Sequence, residues 1–95
     1  MPAYAIAMVK VKNPEQFKEY AKLAGPAVEQ FGGRVLARGG IAAVAEGNTA
    51  CDRIVVTEFS SVEAAKACYS SPAYLLAQSK RIGAADFTMV IVEGA

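Results

Sequence analysis

Residues 3–11 read AYAIAMVKV, in which Tyr4, Ile6, Met8 and Lys10 alternate with Ala5, Ala7, Val9 and Val11. Period two is that of a β-strand, and apart from Lys10 neither set is polar. The strand is answered at once by a helix. Asn13-Pro14 supplies an N-cap followed by proline at the first helical position, and Phe17, Tyr20, Ala21, Ala24, Val28 and Phe31 recur at three- and four-residue steps up to Gly32-Gly33.

Working outward from this unit, residues 34–38 and 41–46 read as one strand interrupted by Gly39-Gly40, since paired glycines inside a strand mark a bulge or a close backbone approach. Residues 47–52 form the turn. Residues 53–59, rich in β-branched side chains, form the third strand, and Ser60 with Glu63 makes a capping box for a second helix. That helix carries Val62, Ala65, Cys68 and Tyr69, pauses at Ser70-Ser71, and restarts with Pro72 under a Ser71 cap. Residues 86–93 alternate Phe87, Met89, Ile91 with Thr88, Val90, Val92 as the last strand. The order is βαββαβ, which predicts an α+β fold: a ferredoxin-like plait of one domain, 1–95, with both helices on one face of a four-stranded antiparallel sheet. A sheet with one wet face should alternate apolar and polar residues, and these strands do not. Both faces need cover, so the periodicity predicts a homodimer joined sheet to sheet.

Composition narrows the chemistry. Ten basic against nine acidic side chains leave a net charge of +1, with no basic patch of the kind nucleic acid requires. No apolar run approaches the ~18 residues of a membrane span, and Met1 to Lys10 has no basic n-region, so the expected location is cytoplasmic, with neither membrane nor nucleic acid as partner. Histidine is absent, which removes Ser-His-Asp and Cys-His nucleophiles and the helical two-His zinc motif. Cys51 and Cys68 form no CxxC pair and read as two thiols, and the glycine pairs match neither GxGxxG nor GxxxxGK[ST]. No metal or cofactor is expected.

The residues Arg38-Gly39-Gly40, Glu46-Gly47, Asp52-Arg53, Glu58-Phe59, Ala65, Tyr69, Ser71-Pro72 with Tyr74, Arg81 and Val92-Glu93-Gly94, taken in order, resemble a small bacterial family, domain of unknown function 1330. The resemblance spans residues 2–94 and implies a dimeric α/β barrel. The wider superfamily of such barrels includes cofactor-free antibiotic-biosynthesis monooxygenases, muconolactone isomerase and chlorite-dismutase relatives, usually with a pocket between sheet and helices. Members of the family usually carry tryptophan where Asn48-Thr49 stand, and often another where Cys68 stands; this chain has none.

Five residues are candidates for a ligand site: Arg38, Glu58, Tyr69, Ser71 and Tyr74. Arg38 and Glu58, on strands neighbouring in sequence, could face each other, the guanidinium holding a carboxylate or enolate and Glu58 acting as a base if desolvation raised its pKa. The same pair could simply fix register as a cross-strand or cross-subunit ion pair. Tyr69 and Tyr74 flank the Ser71-Pro72 break, where free helix N–H groups suit an anion or carbonyl, although capping by Ser71 explains the break without a ligand. Tyr20 reads as core, Arg53 as a charged strand end, and Lys18 and Lys22 with Glu15 and Glu19 as a solvated helix face. Two functions follow: a dimeric module that binds a small apolar oxygenated or acidic molecule, or a cofactor-free monooxygenase- or isomerase-like enzyme acting on one.

Overall fold

The computed structural model describes residues 1–95. Strand β1 (Ala3–Val11) is followed by α1 (Pro14–Gln30), β2 (Arg34–Arg38), β3 (Arg53–Phe59), α2 (Val62–Tyr69), α3 (Pro72–Ser79) and β4 (Ala85–Glu93). The strands form one sheet in the order β2-β3-β1-β4, with every neighbouring pair antiparallel. This is the ferredoxin-like arrangement, its second helix broken in two. The break follows from Pro72, which has no N–H to continue α2, while the Ser71 hydroxyl accepts from the Tyr74 N–H at 3.2 Å and caps α3. Asn13 caps α1 in the same way, accepting from the Gln16 N–H at 3.1 Å.

Two boundaries differ from the sequence reading. The side chain that caps α2 is Ser61, whose hydroxyl accepts from the Ala64 N–H at 3.0 Å, so Ser60 with Glu63 is not the capping box expected. Residues 41–46 are not strand either. Gly39 takes a φ of +64°, and its N–H bond to the Ile54 carbonyl, 3.0 Å, is the last between β2 and β3. Because β3 starts at Arg53, nothing lies opposite residues 41–46, and apolar composition without a ladder partner does not make a strand.

The helices all cover one face. Ala3, Ala5, Ala7 and Val9 of β1 are buried beneath them, as are Thr57 and Phe59 of β3. A core of Phe17, Tyr20, Tyr74 and Val9 joins α1, α3 and the sheet, and a second of Phe59, Val28, Ala65 and Cys68 lies under α2. Gly33 lets the chain turn beneath the end of α1, since a Cβ there would collide with Val28 and Phe59. On the opposite face the ladder aligns Val56, Ile6 and Val90 in one row and Ile54, Met8 and Thr88 in the next. That face is apolar and only partly covered by its own chain, with Val90 46% and Val92 49% exposed.

Candidate functional site

The face beneath the helices is hollow because small side chains meet there. Ala5 and Ala7 stand on the inner strand β1, and Ala21, Ala24 and Gly25 on the facing side of α1, so helix and sheet leave a cavity of about 220 Å³ between them. Larger residues wall it: Phe17, Val28, Val35 and Val55 on one side, Tyr20, Tyr69, Tyr74, Phe87 and Met89 on the other. Arg38 and Arg53 also line it, at the β2–β3 side.

The tyrosines form one interlocked group. Tyr69 and Tyr74 meet edge to face at 4.8 Å between ring centres, Tyr20 stands edge to face on Phe87 at 5.7 Å, and the Tyr20 and Tyr74 hydroxyls hydrogen-bond at 2.8 Å. Burial raises the pKa of Tyr20 well above the ordinary phenol range, reinforced by the Tyr74 hydroxyl beside it and opposed by Arg81. Tyr69 is raised likewise, by burial first and then by Cys68 and Tyr74, with Thr57 opposing. Both therefore stay protonated at any physiological pH, each keeping an O–H that can donate as well as accept. Arg81 lies over the Phe87 ring at 3.8 Å, its buried Nε without a hydrogen-bond partner. It borders a second hollow between α3 and β4 that shares Tyr69, Tyr74, Phe87 and Met89 with the first cavity.

Of the five sequence candidates, the fold brings three together at this cavity: Arg38, Tyr69 and Tyr74. Glu58 is elsewhere. A bulge between Val35 and Ala37 shifts the β2–β3 register, so that Arg34 lies opposite Glu58 on the open face while Arg38 lies opposite Val55 on the cavity face. Glu58 accordingly accepts from Arg34, at 3.0 Å, and the expected pairing with Arg38 does not form. Ser71 is buried, donates its one proton to the Cys68 carbonyl at 2.6 Å and accepts from the Tyr74 N–H, so it caps the helix break and is not among the residues lining the cavity. Cys68, standing where family members often carry tryptophan, is also outside the cavity, in the core under α2.

Three residues line the cavity whose part in it the sequence reading does not foresee. Arg53 is the exposed, charged strand end that the sequence predicts, the first residue of β3, and because it shares the parity of Val55, Thr57 and Phe59 it also lines the cavity, a placement that alternation within β3 signals. Tyr20 is core, as expected, but borders the cavity as well, and Phe17 beside it forms the wall under the Arg53 guanidinium, 5.4 Å from the ring centre. No group of carboxylates and thiols is placed to hold a metal ion, and no helix is long and apolar enough to cross a membrane.

The family described as Domain of unknown function (DUF1330) matches residues 2–95. No curated protein matches the chain. Among solved structures, a protein of unknown function from Rhodopseudomonas palustris is 22% identical with a TM-score of 0.79, the match covering 99% of this chain and 82% of that one. A dimeric ferredoxin-like protein of unknown function from Jannaschia sp. CCS1 is 11% identical, TM-score 0.76, over 99% of this chain and 100% of that one. SnoaB, a cofactor-independent oxygenase from Streptomyces nogalater, is 9% identical, TM-score 0.63, over 99% and 93%.

Proposed function

We propose, for a chain that belongs to the domain of unknown function 1330 family, that it binds a small apolar molecule carrying an oxygen or acidic group in the cavity between α1 and the sheet, and does so as a homodimer. The observation that carries this reading is the cavity itself. A core that needed only stability would fill the space over Ala5 and Ala7 with larger side chains, whereas here the hollow is walled by aromatic rings and edged by two arginines. The dimer is supported by the apolar rows on the open sheet face and by the dimeric description of the Jannaschia protein, which shares the fold. A cytoplasmic location fits the two free thiols.

An enzymatic reading, a cofactor-free oxygenase or isomerase, is favoured by the likeness of fold to SnoaB. It needs a group that moves protons near neutral pH, and the cavity lining holds no carboxylate, thiol or imidazole. Binding is the better supported function.

The test is a thermal-shift screen of small carboxylates, phenols and ketones. Stabilisation by any of these, lost when Ala7 is enlarged, supports the reading. If no member of the set stabilises the unmodified protein, the cavity is not a ligand site.

A further inference from the structure

We propose that the ligand is a one-ring carboxylate whose charged end is held jointly by Arg38 and Arg53, an inference that rests on reading the cavity as a ligand site. The ion pairs of the molecule join Lys10 to Asp52, Lys12 to Asp86, Lys18 to Glu15, Lys22 to Glu19 and Arg34 to Glu58. Arg38 and Arg53 have no carboxylate partner, and no Asp or Glu lines the cavity. A guanidinium cannot shed its charge by deprotonation, so this side of the cavity carries two fixed positive charges with no counter-charge from the protein.

The backbone is shaped to bring these two side chains together. The bulge in β2 turns Arg38 to the cavity face, opposite Val55, and Arg53 lies two residues before Val55 on that same face. The Arg53 stem then runs past Gly39, where a Cβ would stand 2.9 Å from its Cγ and 3.2 Å from its Nε. Glycine is required there twice over, by this approach and by the φ of +64°. Both arginines are exposed, so they form the wet rim, while the Phe17, Val28, Val55 and Met89 walls lie within. A rim of paired cations before an apolar interior selects an amphiphile, charged end outward and hydrocarbon inward. Size sets the rest: an apolar cavity of roughly 150 Å³ holds benzene, so about 220 Å³ takes one ring with a short substituent.

The experiment is calorimetric titration of the unmodified protein with benzoate, with benzyl alcohol as the neutral molecule of like size, and with inorganic phosphate as the bare anion. Benzoate is expected to bind about tenfold or more tighter than either. Arg38→Gln and Arg53→Gln should each weaken benzoate by about tenfold and leave benzyl alcohol unchanged, the latter also showing that the variant is folded. Benzyl alcohol binding as tightly as benzoate to the unmodified protein would overturn the carboxylate assignment while leaving the cavity reading in place. Phosphate binding as tightly as benzoate would overturn it too, since the apolar walls would then contribute nothing. If none of the three binds, both readings fail together.

Discussion

At the scale of single residues, what the molecule leaves out matters as much as what it contains. Ala7 on β1 is 5% exposed and borders the cavity, so a larger β-branched side chain there projects into empty space and not into its neighbours. Ala7→Val should keep or slightly raise the melting temperature and weaken ligand binding by about tenfold; a destabilised variant would mean that the space is already filled. Cys68 supports a prediction about pH. Burial pushes its thiol from the usual 9.0 up to about 11, so the folded protein holds this proton more tightly than the unfolded chain. Stability should be flat below about pH 9 and fall as pH rises through 11, with the raised Tyr20 and Tyr69 phenols adding to the fall above about pH 10. In Cys68→Ala the decline in melting temperature should begin nearer pH 10, and an onset unmoved by the substitution would contradict the assignment. How the sequence shows or hides a site residue is also decided here. Arg53 can be placed inward by alternation alone, whereas Arg38 cannot, because the bulge at Val35/Ala37 reverses its face.

Elements in this fold are set by their ends. Ser61 and Ser71 each accept from a backbone N–H three residues on, and Ser71 also donates to the carbonyl of Cys68. Replacing an N-cap serine by alanine costs about 1 kcal/mol. Ser61→Ala should lose about that much in chemical denaturation and Ser60→Ala almost nothing, an ordering that the capping-box reading of Ser60 would reverse. Ser71→Ala should cost about 1–2 kcal/mol, because it loses both bonds in a buried setting, yet leave benzoate affinity unchanged; a selective loss of binding would return Ser71 to the site. The misread strand at 41–46 is instructive at this scale. Its apolar character lets it read as a continuation of β2 across Gly39-Gly40, but a strand is a pairing, and the turn at Gly39 together with the late start of β3 leaves it no partner.

For the whole molecule, the proposed sheet-to-sheet assembly rests on the open sheet face. The row Val56, Ile6, Val90 crosses three strands, and a charge at its β4 end meets water in a single chain but is buried in a sheet-to-sheet dimer. Light scattering at micromolar concentration should report twice the chain mass. Val90→Glu should halve it while circular dichroism still reports the native fold, and a native protein that stays at the mass of one chain would refute the pairing. The cavity opens on the opposite face, beneath the helices, so the monomeric variant also tests whether binding depends on assembly.

The sequence by itself determined the order of strands and helices, the two-part second helix, the caps at Asn13 and Ser71, and the apolar character of both sheet faces. Each of these is carried by side-chain period or by bonds between residues a few positions apart, which a linear reading can follow. Only the tertiary structure decided which arginine meets Glu58, that residues 41–46 stay unpaired, and that the alanines of β1 face those of α1 across a hollow. Those outcomes depend on register between distant segments. A single bulge changes the face of every residue after it, and a cavity is the space left when two small surfaces meet, so neither is written in either segment alone.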